Sequence, residues 1–450
     1  MRENRFRKRY QAALNDAQLQ KGVSAATRLL VSMREKTVAE IPDWQALRER
    51  GRAIREHTLD HLDGCLETLE QSVTRQGGHV FWAKDDEAAR RYVLDLALSR
   101  GVKTIVKGKS MISEEIGLND ALEAHGVEPV ETDLGEFIVQ LADEHPSHIL
   151  APAIHKTKED ISLLFARKLL KPKVTEPKAL MAQAREHLRG KFLEAQMGVT
   201  GANFAVARTG TVVLTENEGN IRFSTTCPPV HVSIMSLEKV VPDWSELYVL
   251  LNLLIISATG QRLSTYVSFL NPPMADKTRH GPKEFHLVLL DNGRSRILGD
   301  ERYRSILRCI RCAACFNVCP VYTKIGGHAY GTVYPGPMGS VLSPLLFGLD
   351  AHEELPFAST LCGACRDVCP VKIDIPNMLL ELRSDVTENW KARHRMYGRR
   401  LRVEVWSRVA GDETVLRWAS RIARSAEPIL NVAKAPDGFK LSHRRFERSE

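Results

Sequence analysis

Two stretches of this chain share a rhythm of cysteines that few folds can satisfy. CIRCAACFNVCP begins at Cys309, and STLCGACRDVCP begins at Ser359. Aligned on their final Cys-Pro, they agree at every cysteine but the first, where the second stretch carries Ser359. Cys309, Cys312, Cys315 and Cys319 follow C-x2-C-x2-C-x3-C-P, a run that wraps three thiolates around one iron-sulfur core and sends the fourth towards another. Cys362, Cys365 and Cys369, ahead of Pro370, repeat the run without its first ligand. Zinc sites favour separated pairs closed at four ligands, so iron-sulfur is the expected chemistry. Two four-ligand clusters would need one more thiolate than these seven supply.

Crossing the ligands, as two-cluster ferredoxins do, assigns Cys309, Cys312, Cys315 and Cys369 to cluster one. Cluster two then takes Cys319, Cys362 and Cys365, with Ser359 at the eighth place. Both are expected as [4Fe-4S], the second with an open iron or as [3Fe-4S]. The fourth ligand of cluster two stays open: Ser359 alkoxide, His352, Asp367, solvent or a partner could each supply it. The connecting GGHAYGTVYPGPMGSVLSPLLFG, from Gly326, is apolar as well as glycine-rich and is expected to cover the clusters.

Seven of the nine cysteines lie in this region, leaving Cys65 and Cys227 far away. Such clustering in a long chain favours metal ligation over a secreted disulfide scaffold. The basic N-terminus has no apolar segment behind it, and the apolar LYVLLNLLIIS from Leu247 is too short to span a membrane. A cytoplasmic location is expected. At 450 residues the chain exceeds what one core usually supports.

Residues 1–75 read as a helical segment, with Asp43 as an N-cap. Residues 76–298 alternate apolar strand-like runs such as HVFWA, VKTIVKG and VHVSIMS with helix-like ones, which predicts an α/β domain with a largely parallel sheet. KEFHLVLLDNGRSRIL, with Asn292-Gly293, reads as a closing hairpin. Residues 299–390 form the iron-sulfur domain, and 391–450 a basic helical region. That last region holds fifteen Lys or Arg against seven Asp or Glu, equal to the whole chain's net charge of +8. Its RRLRVEVWSRVAG suits an amphipathic helix docking a partner or meeting a membrane surface peripherally; nucleic acid is the weaker reading.

No G-x-G-x-x-G follows a strand, so a dinucleotide site has no support from that motif. VKGKSMISEE, with Lys107, Gly108, Lys109 and Ser110 between strand and helix, could cradle an anion, or be an ordinary turn with solvated lysines. Glu216 and Glu218 suit structural or substrate-contact roles. His145, His148 and His155 are candidate acid-base groups whose default is packing or surface exposure. No catalytic residue is assigned.

Together, the paired cysteines flanking YPGPMGSVLSPLL, the earlier VKGKSMISEE and ETDLGEFIVQLADEHPSHILAPAIH, and TGTVVLTENEGN resemble the lactate utilization protein B family. The likeness runs from about residue 10 to past 400. It implies a ribose-phosphate isomerase/CoA-transferase-like α/β domain joined to an α-helical ferredoxin-like two-cluster domain. It further implies an iron-sulfur electron carrier that acts with other lactate-utilization subunits and a downstream acceptor in oxidising L-lactate to pyruvate. The clusters would be held by the same seven cysteines. The alternative is that this chain itself binds lactate, at the open iron or in the α/β pocket.

Overall fold

The computed structural model describes residues 5–273 and 281–393, together with 412, 414, 415, 417 and 418. By compactness the chain divides into Met1–Ser384 and Asp385–Glu450. Met1–Ser384 holds both sheets and all seven clustered cysteines. RRLRVEVWSRVAG lies outside the described residues.

Among the described residues, ten strands form two sheets. They are β1 (His79–Ala83), β2 (Thr104–Lys107), β3 (Glu128–Glu131), β4 (Met197–Thr200), β5 (Phe204–Val206), β6 (Thr211–Glu216), β7 (Val230–Ser236), β8 (Val240–Val241), β9 (Tyr266–Leu270) and β10 (Glu284–Leu290). Six of them make a parallel sheet in the order β1-β10-β7-β4-β2-β3. Its central strands explain the continuous apolar runs: every residue of β7 is buried, as is all of β10 after Glu284. Parallel strands covered on both faces need that composition rather than an alternating one. The smaller sheet runs β8-β5-β6-β9.

The expected closing hairpin does not form. β10 lies between β1 and β7 and is parallel to both, so neither of its edges can accept a returning antiparallel strand. Asn292 and Gly293, at φ of 45° and 88°, instead turn the chain into the helix Arg294–Leu298.

Four helices precede the first strand: Arg5–Leu14, Ala17–Ala39, Trp44–Asp60 and Leu62–Arg75. Asp16 caps the second by accepting from Leu19 N at 2.8 Å. Asp43 precedes the third helix, but its side chain makes no capping bond. LYVLLNLLIIS lies in the helix Trp244–Thr259, whose Leu247, Leu250, Leu253, Leu254 and Ile256 are buried in the core shared with the cysteine segment. No helix of the described residues is long and apolar enough to cross a membrane.

Two histidines are folded into this interior as neutral groups. His231, in β7, sits 2.9 Å from Thr200 Oγ1; burial, then His286, pushes its pKa down to about 3. An unfolded histidine titrates near 6.5. Below that pH the unfolded chain binds a proton that the folded one refuses, so stability is complete above 6.5 and falls as pH drops. His231 alone is expected to remove about 3 kcal/mol between pH 6.5 and 4, at 1.36 kcal/mol per unit. Urea unfolding across that range measures the slope, and His231→Gln should flatten it. The second, His148, packs against Phe316 and Tyr322 of the cysteine segment.

Candidate metal centre

Both cysteine loops adopt the same backbone course. In the first, Arg311 and Ala313 flank Cys312 at φ of 61° and 59°; in the second, Leu361 and Gly363 flank Cys362 at 56° and 86°. A short helix follows each, Ala314–Asn317 and Ala364–Val368. Three of these four left-handed residues are not glycine, an arrangement that costs free energy and persists where the surroundings fix it. It also turns backbone N–H groups onto sulfur. Arg311 N donates to Cys309 Sγ at 3.4 Å, Tyr322 N to Cys319 Sγ at 3.5 Å and Ile373 N to Cys369 Sγ at 3.4 Å. Ser359 keeps the place of Cys309: its Oγ accepts from Leu361 N at 3.1 Å. The second loop therefore retains the geometry of the first with oxygen in the place of sulfur.

Cys309, Cys312, Cys315 and Cys369 line one cavity, alongside Phe316, Met338 and Ile373. Cys369 comes from the second loop, fifty residues or more beyond the others. Cys319, Cys362 and Cys365 are electrostatic neighbours of one another, and Cys315 adjoins Cys365, so the two sets lie side by side. Cys312, Cys319, Cys365 and Cys369 are buried, Cys309 and Cys315 half-buried and Cys362 exposed. Among the described residues, no three His, Cys, Asp or Glu side chains group as a site for a single ion.

This donor set fits iron-sulfur chemistry. Burial raises the pKa of Cys312, Cys315, Cys319 and Cys369, and pushes Cys365 up to about 12. These thiols would stay protonated at neutral pH unless a metal took the proton's place. Cys362 shifts the other way, its thiolate favoured by Ala364 N–H and the Thr360 hydroxyl. N–H···S bonds and an apolar lining are the means by which a protein steadies and tunes such a cluster. His352 is half-buried and packs on Phe347, with ring centroids 5.9 Å apart.

Arginines from the N-terminal helices grip both loops by their carbonyls. Arg48 donates to Cys369 O from Nε at 3.0 Å and from Nη2 at 2.7 Å. Arg55 donates to Leu307 O at 2.9 Å, and Arg34 to Val368 O at 3.2 Å. Sequence reasoning missed this role, though a signal existed. Arg48 and Arg55 are seven residues apart, on the same helix face as buried Trp44, Gly51 and Leu59.

A buried ion network joins the centre to the α/β layers. Arg294 contacts Glu115 from Nη2 at 2.6 Å and Nη1 at 2.9 Å, and its Nε lies 3.1 Å from Glu238 without the alignment of a hydrogen bond. Arg311 reaches Glu238 at 3.1 Å and lies over the Tyr334 ring, whose hydroxyl donates to Glu115 at 2.5 Å. Burial opposes ionisation of Glu115 and Glu238, but Arg294 overrides it and holds both carboxyls below their usual range.

The histidine motif serves as a clasp. His148 Nδ1 accepts from Leu150 N at 3.0 Å, and its Nε2 lies 3.2 Å from Asn317 Oδ1, between the cysteines. Burial pushes its pKa down to about 4. Ser147 O accepts from Tyr322 at 2.8 Å, and a Cβ on Gly327 would stand 1.8 Å from that same oxygen, so only glycine fits there. His155 pairs with Glu144 at 2.6 Å, and His145 is exposed.

The lysines of VKGKSMISEE are not both solvated. Lys107 is fully buried, bonded to Glu131 and Asn119 at 2.5 Å each. A cation in β2, buried among apolar strands, needs such partners to remain charged. Lys109, just past the strand, lines a cavity instead. Glu216 accepts from Ile221 N at 2.8 Å and Arg222 N at 3.0 Å, capping the helix Asn220–Thr226, and Glu218 accepts from Leu134 N at 3.2 Å.

Comparison with known families places two matches on this framework. The LUD domain family matches residues 66–290, and the 4Fe-4S dicluster domain family matches residues 305–373. Curated relatives cover nearly the whole fold. Lactate utilization protein B of Bacillus pumilus is 50% identical over 85% of this chain and 81% of its own length. That of Bacillus subtilis is 47% identical over 85% and 80%. That of Bacillus cytotoxicus is 44% identical over 94% and 88%. A solved DUF162 family protein from Deinococcus radiodurans covers 51% of this chain and 98% of its own, at 12% identity and a TM-score of 0.29. With a LUD domain, a 4Fe-4S dicluster domain and relatives of this closeness, the chain belongs to the lactate utilization protein B family.

Proposed function

We propose that this chain is the iron-sulfur electron-transfer subunit of a multi-protein system that oxidises L-lactate to pyruvate. One observation carries the reading: four cysteines drawn from both loops line a single cavity, while three others form a second set beside it. In this reading Cys309, Cys312, Cys315 and Cys369 hold cluster one, and Cys319, Cys362 and Cys365 hold cluster two. The bound clusters would accept and pass on single electrons. Cluster one would lie in the cavity that these four cysteines line, where Arg311 is part of the wall, and Arg48 and Arg55 of the N-terminal helices bond to carbonyls of the same segments. Those fixed positive charges favour the reduced, more negative state. Cluster two would be held by three thiolates, of which Cys362 is exposed, with half-buried Ser359 at the eighth place, so its fourth ligand would come from Ser359, another side chain, solvent or a partner.

The test is an anaerobic assay of L-lactate oxidation with a chemical electron acceptor. The reconstituted chain alone is expected to show no turnover, and turnover should appear when the other lactate-utilization subunits are added. Turnover by the isolated chain would sink the carrier reading and favour a catalytic subunit.

A further inference from the structure

A groove of about 320 Å³ lies between the helix Ala17–Ala39 and the short helices of the two cysteine loops. Leu30 and Val31 line it from the long helix, and Ala314, Val318, Ala364 and Val368 from the loops. Each of those last four directly precedes a cysteine. Ala314 and Val368 adjoin Cys315 and Cys369, of the set assigned to cluster one; Val318 and Ala364 adjoin Cys319 and Cys365, of the set assigned to cluster two. A molecule seated in the groove would touch the immediate neighbours of ligands to both clusters.

The charged residues lining the groove are Arg34, Glu35 and Asp367. Arg34 Nη2 donates to Val368 O at 3.2 Å, and the guanidinium lies 5.6 Å from the centre of the Trp44 ring. Its Nε–H is buried and has no acceptor among the described residues. A buried donor left unpaired is costly, so it marks a place for an oxygen that the chain does not supply. Glu35 and Asp367 are exposed carboxylates, which disfavour a phosphate or carboxylate ligand. What fits is a neutral molecule with an apolar body and a carbonyl oxygen. Leu29 and Met33, exposed on the same helix, carry the apolar surface beyond the groove.

We propose that this groove binds the ring of a quinone, one carbonyl oxygen of which accepts from Arg34 Nε–H. The inference rests on the electron-carrier reading and names its acceptor by chemical class. Each reduced cluster would give up one electron, and the quinone would take both, with two protons from solvent, to leave as hydroquinone. The volume lies at the lower end of small-molecule sites, which suits one or two fused rings rather than a dinucleotide.

Equilibrium binding to the oxidised, cluster-loaded full-length chain under anaerobic conditions tests it, with a short-chain ubiquinone and menadione as probes. At least one should bind. Arg34→Gln should weaken binding roughly tenfold or more, the loss of a hydrogen bond from a charged donor. Val31→Trp, which fills the groove from the long helix, should abolish it, and the EPR signals of both clusters should persist in each variant. In stopped flow, the dithionite-reduced chain should be reoxidised by the quinone, more slowly in both variants, and by ferricyanide at an unchanged rate. Failure of both quinones to bind, or unchanged affinity in either variant, would overturn the site. Should Arg34→Gln lose a cluster, Val31→Trp decides the matter. Reoxidation of the native chain by ferricyanide but not by quinone also overturns the site and leaves the carrier reading standing; reoxidation by neither sinks both.

Discussion

Cys369→Ala is expected to remove the same cluster as Cys312→Ala, although Cys369 lies in the other cysteine loop. Each should cost about half of the bound iron and the EPR signal of cluster one, while leaving that of cluster two. Cys319→Ala and Cys365→Ala should pair in the opposite sense. The reason is that Cys369 lines the cavity of Cys309, Cys312 and Cys315, whereas Cys319 neighbours Cys362 and Cys365. A cluster cannot make up for the missing thiolate at cluster one from nearby oxygen, because its other lining residues are largely apolar. Electron transfer through the chain should fall by orders of magnitude in all four variants. Iron analysis with EPR of the reduced proteins is the measurement. If Cys369→Ala instead matched Cys362→Ala, each loop would hold its own cluster and the crossover would be wrong.

The second large effect concerns Arg294. Its side chain is 1% exposed and stands between Glu115 and Glu238, both 0% exposed. Arg294→Met keeps the length and removes the charge, leaving buried Glu115 without its ion-pair partner and Glu238 with Arg311 bonded and Lys239 and Arg55 nearby. Breaking a buried pair from one side costs about 3–5 kcal/mol, because the remaining charge is uncompensated. That is a large share of the roughly 5–15 kcal/mol typical of a folded domain. Arg294→Lys should recover little, since a single ammonium cannot meet both oxygens of Glu115 in the present fork. Urea unfolding of the three proteins gives the comparison. A loss under about 1 kcal/mol for Arg294→Met would mean that the network contributes little.

Legibility in the sequence depends on how local each signal is. Within each loop the clustered cysteines sit three or four residues apart, so their spacing survives in the chain as a motif. Alternating strands and helices are likewise local, and the parallel sheet arises from them. The order of its strands does not. The reading of Asn292-Gly293 as a hairpin fails because a turn dipeptide says nothing about whether the next strand has a free edge. Lys107 looks solvated in VKGKSMISEE because Glu131, its counter-ion, lies on the neighbouring strand. His148 looks like a candidate acid-base group because Asn317 is 169 residues away. The hold of Arg48 on Cys369 spans 321 residues. Ser359 is the reverse case. In the sequence it reads as a missing ligand, and in the fold it occupies the place of Cys309 with its backbone bond intact.

Two clusters shared between two loops, one fully held by thiolates and one not, would give this chain its path for electrons. Anaerobic iron and sulfide analysis of the reconstituted chain, with EPR before and after added ferrous iron, tests this most directly. Two cluster signals are expected from the reduced protein, only one of which responds to added iron. A single cluster, with the remaining cysteines open to alkylation, would contradict it.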